Sequence, residues 1–152
     1  MTSVLVTDSD ETVCELIAAG LRRRGCEVRF ARDGREGLAA YEKFRPKLVI
    51  TEIMLPAMNG YQLIRGIKQR ERENGGEECR IIVLTGIRAK HKIERCMRLG
   101  AADCVLKPFC PVELEDRIRS HLADLNGERM PDPQHAGRAV LGQIALIQEE
   151  CP

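Results

Sequence analysis

Five short apolar runs alternate with helical patterns along the first 125 residues, and this alternation limits the possible folds more than any other feature. The runs cover residues 3–7, 26–30, 47–51, 80–84 and 103–106, and β-branched side chains are frequent in them. Runs of this kind, separated by helical patterns, are typical of buried strands in a parallel sheet with helices on both faces. We therefore expect an α/β fold of the doubly wound (βα)5 type.

The segments between the runs, and the segment after the last run, carry apolar residues at helical spacing. These patterns cover residues 13–21, 38–44, 63–67, 93–97 and 114–125. Gly25 and Gly100 follow the first and fourth patterns, as glycine commonly does where a helix ends. Right-handed crossovers leave few arrangements of five such units, and we expect the strand order 2-1-3-4-5. Residues 1–125 are predicted to form one domain.

Chemically useful side chains follow four of the predicted strands. Parallel strands bring their carboxyl ends to one edge of a sheet, and ligands bind there beside the switch in strand order. Carboxylates can hold a hard cation such as Mg²⁺, while a hydroxyl group and a lysine can hold the oxygens of a phosphoryl group. The residues expected to meet at this edge are Asp8, Ser9, Asp10, Glu52, Thr85 and Lys107.

Three of these residues also have simple structural interpretations when each is considered alone. Asp10 precedes Glu11 at the start of a helix, which is more typical of an N-cap than of a ligand. Thr85 is compatible with an ordinary strand end, and Lys107 with a solvated surface lysine. Their joint position at the ends of the appropriate strands favours the functional interpretation.

Several separated segments resemble, in the correct order, the receiver domain of bacterial two-component response regulators. They are residues 4–8, 46–60, 82–86, 100–103 and 106–109, the last reading Leu-Lys-Pro-Phe. The resemblance covers about the first 125 residues. It implies a flavodoxin-like three-layer sandwich that takes a phosphoryl group from a histidine kinase onto an aspartate, with Mg²⁺ bound by acidic residues.

The resemblance also implies roles for individual residues. The residue at position 52 would accept the phosphoryl group, Thr85 would donate a hydrogen bond to it, and Lys107 would bridge to it. The Lys107–Pro108 peptide would be cis. Mg²⁺ would be held by Asp8, by residue 52 and by the backbone carbonyl of Met54. Ser9 and Asp10 are further candidates for the metal site.

Three positions depart from the pattern of the family. Glu52 stands where the acceptor aspartate is expected, Ser9 replaces the second acid, and Cys104 replaces an aromatic residue that reports the switch. Ser9 removes a negative charge, so we expect Mg²⁺ binding to be weak or absent. Glu52 lengthens the carboxylate by about 1.5 Å, which misplaces an attacking oxygen. The same extension brings the carboxylate towards Lys107, and we expect an ion pair between them.

Two functional classes follow from these departures. In the first, the chain is a single-domain, degenerate receiver that is not an enzyme and acts through phosphorylation-independent contact with a signalling partner. In the second, it is a working phosphoacceptor that takes a phosphoryl group from a histidine kinase with Mg²⁺. The departures favour the first class. Redox sensing is least favoured because the seven cysteines include no C-x-x-C pair, and we expect reduced thiols that act mainly in packing.

The charge balance and the hydropathy pattern make other classes improbable. Lys and Arg number 24 and Asp and Glu number 23, so the chain has no basic surplus of the kind that nucleic-acid binding needs. No apolar run approaches the length of a membrane span, and residues 1–6 lead directly into a strand instead of a signal peptide. We therefore expect a cytoplasmic protein without nucleic-acid or membrane partners.

Residues 126–152 are predicted to be a polar linker followed by a short amphipathic helix or tail. Two prolines lie between residues 126 and 139, and an apolar stripe follows them at Val140, Leu141, Ile144 and Ile147. An isolated helix of this length is marginal in water. The stripe is therefore folded back on the domain, docked on a partner or a second copy, or frayed.

Opposite charges on helices four and five suggest a homodimer contact. Receivers resembling this chain commonly pair through helix four, strand five and helix five. Basic residues dominate helix four, predicted over residues 88–98, and acidic residues open helix five. The alternative is two solvated surfaces whose charges contribute little. The residues concerned are Arg88, Lys90, Lys92, Arg95 and Arg98, with Glu94, on helix four and Glu113, Glu115 and Asp116 on helix five.

Overall fold

A computed structural model describes residues 2–127, and its centre is a five-stranded parallel sheet. The strand order is β2-β1-β3-β4-β5. The predicted flavodoxin-like α/β fold and its strand order are confirmed. The ends of β2, β3 and β4 differ by one residue from the predicted ones. The strands are β1 (Ser3–Thr7), β2 (Glu27–Ala31), β3 (Leu48–Thr51), β4 (Arg80–Thr85) and β5 (Asp103–Leu106).

Five helices connect or follow the strands. They are α1 (Glu11–Arg23), α2 (Gly34–Phe44), α3 (Gly60–Glu73), α4 (Lys90–Leu99) and α5 (Pro111–Leu125). Local side chains define several of the helix starts. Asp33 accepts a hydrogen bond from the backbone at the start of α2, and Asn59 forms a reciprocal capping box with Gln62 in α3. Pro111 suits the first turn of α5, where no amide donor is needed.

The sheet separates two apolar cores. Leu5, Val49 and Ile81 point to one core, which the inward faces of α2, α3 and α4 complete. Val4 and Ile50 point to the other core, which is covered by α1 and α5. Strands buried on both faces read as continuous apolar runs, as parallel strands usually do. With both faces covered by helices, the strand ends are the places open to polar chemistry.

Two further predictions concern the chain outside this core. No helix within residues 2–127 is long and apolar enough to cross a membrane. The apolar stripe at Val140, Leu141, Ile144 and Ile147 lies outside the described residues. The division of the chain at about residue 125 therefore stays a prediction.

Candidate functional site

The carboxyl edge of the sheet carries the predicted site residues on a fixed backbone. Hydrogen bonds continue the sheet ladder one residue past the strand ends. Glu52 N donates to Thr7 O at 3.0 Å, and Lys107 N donates to Thr85 O at 2.8 Å. Asp8 follows β1 in the same way. The sheet itself therefore determines where these side chains begin.

Lys107 joins two carboxylates at this edge. Its Nζ lies 2.6 Å from Asp8 Oδ2 and 3.0 Å from Glu52 Oε2. The ion pair expected between Glu52 and Lys107 is therefore present. The side chains are largely buried, with exposed fractions of 5% for Asp8, 11% for Glu52 and 22% for Lys107. We call these three residues the ion triad.

The surroundings of Lys107 keep its ammonium group charged. Burial alone lowers the pKa of this group, because it penalises the charged form. Hydrogen bonds to Asp8 and Glu52, together with the negative charges of both residues, outweigh burial and raise the pKa above its ordinary value. The lysine therefore acts as a permanent counter-ion for the two carboxylates. The Lys107–Pro108 peptide is cis, as the resemblance implied.

Glu52 uses both of its carboxylate oxygens within the domain. Oε1 accepts a hydrogen bond from Ile53 N at 2.7 Å, and Oε2 faces Lys107. The side chain thus turns back along its own backbone, and the residue is only 9% exposed. Both carboxylate oxygens of Glu52 are therefore held by contacts within the domain.

The loop after Glu52 is held close to the site by a glycine. Gly60 N donates to Ile53 O at 2.7 Å at the start of α3. A Cβ at residue 60 would lie 2.4 Å from the Glu52 carbonyl oxygen. Because this approach leaves no room for a side chain, glycine is required there. The turn signal at Asn59-Gly60 therefore helps to position the backbone of Glu52.

Thr85 and Met54 differ strongly in their exposure to solvent. Thr85 is completely buried, and its Oγ1 accepts a hydrogen bond from Ile87 N at 3.2 Å. Met54 is 69% exposed in the loop after β3. The roles of Thr85 in holding a phosphoryl group and of the Met54 carbonyl in holding a metal stay predictions.

Arg88 belongs to this site, whereas the sequence placed it on the basic face of helix four. It precedes α4, which begins at Lys90, two residues later than predicted. Its Nη2 donates to Lys107 O at 3.2 Å and its Nη1 to Gly86 O at 3.4 Å. The side chain thereby ties the β4–α4 loop to the residue that carries the ammonium. The available signal was its position just after Thr85 at the carboxyl end of β4.

The acids after β1 divide between the triad and a helix cap. Asp8 Oδ1 accepts a hydrogen bond from Asp10 N at 2.9 Å. Asp10 Oδ1 in turn accepts hydrogen bonds from Thr12 N at 3.0 Å and Val13 N at 3.3 Å. Asp10 is therefore the N-cap of α1, as its structural interpretation predicted. Ser9 is exposed between them.

In the observed arrangement, the carboxylates that could hold Mg²⁺ are engaged by Lys107. The carboxylates of Asp8 and Glu52 both bond the Lys107 ammonium, which lies between them. A divalent cation at these oxygens would be repelled by that ammonium. Within residues 2–127, no group of three or more His, Cys, Asp or Glu side chains could hold a metal ion.

Five of the six cysteines in the described part of the chain are buried. Cys104, at the expected position of the aromatic residue, has no exposed surface. Burial raises the pKa of Cys104 and Cys79 to about 12 and that of Cys14 and Cys96 to about 11. These thiols are free and protonated at neutral pH, in agreement with a packing role. Cys110 is exposed.

The predicted charge match between helices four and five needs two corrections. The Arg95 guanidinium lies 4.2 Å from the centroid of the Tyr61 ring and therefore faces α3. Glu115 pairs with Arg23 at 3.5 Å and with Arg24 at 3.2 Å at the end of α1. Glu115 thus lies on the α1 side of α5, because that helix turns this position away from α4. Arg95 and Glu115 therefore both contact residues of their own domain.

Comparison with known proteins agrees with this fold. Residues 4–119 match the family model of the response regulator receiver domain. The chain is 28% identical over 151 residues to the alkaline phosphatase synthesis transcriptional regulatory protein PhoP of Bacillus subtilis, covering 96% of this chain and 60% of that protein. It is 34% identical over 119 residues to the DNA-binding response regulator MtrA of Mycolicibacterium smegmatis, covering 78% and 50%. The structure of the chemotaxis response regulator CheY4 of Vibrio cholerae gives a TM-score of 0.72 at 26% identity, covering 80% of this chain and 98% of that one.

A doubly wound sheet with acids, a threonine and a lysine at its carboxyl edge defines a signalling module. The chain belongs to the response regulator receiver family and carries a receiver domain of two-component signalling. It spans half to 60% of the length of the two relatives above. Members of this family typically bind Mg²⁺ at the phosphorylation site.

Proposed function

We propose that this receiver signals through protein contact, without phosphorylation at residue 52 and without acting as an enzyme. The ion triad carries the proposal, because Lys107 Nζ lies 2.6 Å from Asp8 and 3.0 Å from Glu52. This lysine offsets one of the two negative charges that would otherwise attract a metal ion. The site is therefore proposed to be a degenerate phosphorylation site with weak or no Mg²⁺ binding.

The contact between Glu52 and Lys107 is proposed to hold the domain in a single conformation. In phosphorylated receivers the lysine at the end of β5 contacts the phosphoryl group, and here Lys107 Nζ lies 3.0 Å from the Glu52 carboxylate. That carboxylate supplies one negative charge, whereas a phosphoryl group supplies nearly two. The surface that partners recognise is therefore proposed to be set by the sequence at residue 52 and not by a kinase.

Incubation with acetyl phosphate and Mg²⁺, followed by measurement of the intact mass, tests this proposal. We expect the wild-type chain to keep its unmodified mass. Glu52→Asp is the matched variant, because it shortens the carboxylate and keeps its charge, and we expect part of it to gain one phosphoryl group. A phosphoryl group mapped to Glu52 of the wild-type chain would overturn the proposal.

Two further variants separate the contributions of residues 9 and 52. If Glu52→Asp gains no phosphoryl group, the double variant Ser9→Asp/Glu52→Asp should gain one, since it restores the second acid. Glu52→Gln serves as the negative control, because it keeps the length of the side chain and removes the charge. We expect no modification of this control under the same conditions.

A working phosphoacceptor is the second candidate function. It is favoured by the presence of Asp8, Thr85 and Lys107 at the ends of their strands and by relatives that are named response regulators. A histidine kinase would then supply the phosphoryl group, and Lys107 would have to leave Asp8 to admit Mg²⁺. Modification of the wild-type chain in the experiment above would support this function.

The partner is proposed to be a histidine kinase or a downstream signalling protein, and a second copy of the chain is a further candidate. The face formed by α4, β5 and α5 is the proposed contact surface. Lys90, Lys92 and Arg98 are exposed on α4, and Glu113 and Asp116 are exposed on α5. Residues 126–152 are proposed to be a linker with a short amphipathic helix or tail that does not contribute to the site.

A further inference from the structure

A second polar cluster lies at the edge of the sheet opposite the ion triad, between α5 and the first residues of β4 and β5. The surrounding layer is apolar, and the charged side chains are nevertheless deeply buried. Arg80 and Asp124 expose 7% of their side chains, Asp103 exposes 5% and His121 exposes 10%. We call Arg80, Asp103, Arg117, His121 and Asp124 the α5 network.

His121 lies at the centre of this network, with both ring nitrogens engaged. Nε2 lies 3.1 Å from Asp103 Oδ2, and Nδ1 lies 3.2 Å from Arg80 Nη1. A guanidinium group can only donate hydrogen bonds, so Nδ1 must accept one and carries no proton. Nε2 then carries the single proton of the neutral ring and donates a hydrogen bond to Asp103 Oδ2. The contacts therefore select one neutral tautomer of His121.

The Asp124 carboxylate lies near Arg80 but does not accept a hydrogen bond from it. Arg80 Nη1 lies 3.7 Å from Asp124 Oδ2, which is longer than a hydrogen bond. Asp124 Oδ1 is buried and has no hydrogen-bond partner among residues 2–127. Since a buried acceptor without a donor is unfavourable, Asp124 favours any movement that brings the Arg80 guanidinium closer.

We propose that the α5 network is a proton-operated latch on helix α5. A second proton on His121 binds at Nδ1, and the new N–H group then faces the N–H group of Arg80. The hydrogen bond between the two residues is lost, and Arg80 turns to the Asp124 carboxylate. His121 keeps its hydrogen bond to Asp103. The same residues thus have two arrangements, and the proton selects between them.

The charges around His121 allow the ring to take this proton in place. The ring itself contacts Arg80 of β4 and Asp103 of β5, and these two residues in turn contact Glu78, Arg117 and Asp124. With a neutral ring, two positive groups meet three negative ones, so the added proton balances the cluster. The groups are Arg80 and Arg117, with Glu78, Asp103 and Asp124.

The network is connected to β5 through a main-chain contact. Arg117 Nη1 donates to Cys104 O at 3.0 Å and lies 3.5 Å from Asp103 Oδ1. The position of α5 against β5 therefore depends on the network. The ion triad lies at the other edge of the sheet, so the latch goes beyond the proposed function and does not depend on phosphorylation.

An NMR titration of the full chain, from about pH 8 to about pH 5, tests the latch. We expect His121 Nδ1 to show the ¹⁵N shift of an unprotonated ring nitrogen at the upper end. On protonation, the Arg80 guanidinium and Asp124 carboxyl signals should shift with the same midpoint as His121. Amide protection factors, which are corrected for the intrinsic effect of pH on exchange, should change by at least about threefold in the last turn of α5 and stay constant at Leu106, Lys107 and Phe109.

Two controls make the result specific. Asp124→Asn removes the charged acceptor and should weaken the Arg80 response, while the His121 signals still shift. His91, which is exposed on α4, provides a histidine signal outside the network in the same sample. A protonated Nδ1 at the upper end, or Arg80 and Asp124 signals that do not follow His121, would overturn the proposal. The wild-type titration decides this even if Asp124→Asn does not fold.

Discussion

Lys107 forms ion pairs with two carboxylates at once, and one of them belongs to Glu52. Glu52 turns its carboxylate back to its own backbone, and one oxygen still reaches Lys107. Asp8 holds the same ammonium at 2.6 Å. With glutamate at residue 52, one methylene longer than aspartate, Lys107 therefore contacts both carboxylates of the site.

Removing the lysine charge should destabilise the domain and create affinity for Mg²⁺. Lys107→Gln leaves Asp8 and Glu52 buried without a counter-ion, which should lower the free energy of unfolding by about 3 kcal/mol. Mg²⁺ should restore part of this loss, because it can now bind between the carboxylates. Urea unfolding with and without MgCl₂ measures both effects.

The matched control for this experiment is Lys90→Gln. Lys90 is 64% exposed and pairs with Glu94 at 3.9 Å, so its loss should change stability by less than about 0.5 kcal/mol. Equal stability of Lys107→Gln and the wild-type chain would contradict the prediction. So would a variant whose unfolding does not respond to Mg²⁺.

Above neutral pH, the contribution of Lys107 to stability should change only in the alkaline range. Its pKa is raised in the folded state, so the contribution is complete below the ordinary lysine pKa of about 10.4. It is lost as the pH rises through the higher folded-state value. The difference in unfolding free energy between the wild-type chain and Lys107→Gln should therefore be constant from about pH 7 to about pH 9 and shrink above about pH 10. A decline that begins near neutral pH would argue against the charged triad.

At the scale of the elements, the β3–α3 connection depends on close backbone contact. Gly60 begins α3 directly against the Glu52 carbonyl. Gly60→Ala should therefore lower the free energy of unfolding by about 2 kcal/mol, since the added methyl group forces the loop away from β3. Gly86→Ala is the control, because a Cβ there has no atom within 4 Å, and it should cost less than about 0.5 kcal/mol. Urea unfolding compares the variants, and equal losses would contradict the argument.

Helix α5 shows what local patterns predict and what they miss. The stripe of Leu114, Ile118 and Leu122 identified the helix, because its spacing is a property of the segment itself. His121 borders the same stripe, so its burial had a signal. Its contacts to Arg80 and Asp103, 41 and 18 residues away, depend on how strands and helix are aligned, which no local pattern specifies.

The site residues divide in the same way. Asp8, Glu52 and Lys107 could be placed together from the sequence, because each follows a strand directly and parallel strands end at one edge. Glu115 could not be placed, because its direction depends on neighbouring Gly20, which leaves room for it beside α1. Arg88 was assigned to the wrong surface because a loop conformation, and not a periodicity, turns it towards Lys107.

At the scale of the whole molecule, the two edges of the sheet carry separate polar clusters, and the proposed contact face lies between them. The ion triad occupies the carboxyl edge and the α5 network occupies the other. Helix α5 starts near the first cluster and ends in the second. A partner on the α4–β5–α5 face would therefore contact elements that both clusters hold in position.

Dimerisation through this face, if it occurs, should weaken with salt and with charge reversal at Arg98. Arg98 is exposed and makes no ion pair with the described residues, so Arg98→Glu changes the surface alone. Arg95→Glu would also break the stacking on Tyr61. Arg65→Glu, an equal charge change on α3, is the control. Sedimentation at low salt should show a dimer for the wild-type chain and Arg65→Glu and a weaker one for Arg98→Glu. A wild-type monomer at high concentration would exclude the contact.

The strand order also has a consequence for how the sheet is assembled during synthesis. β2 and β3 both pair with β1, so a three-stranded sheet is possible once the chain reaches residue 51. β4 then adds to β3, and β5 adds to β4. Each later strand meets an edge that already exists, so the sheet can grow in one direction as the ribosome delivers the chain. The lysine of the ion triad arrives last, and it closes a site whose carboxylates are already in place.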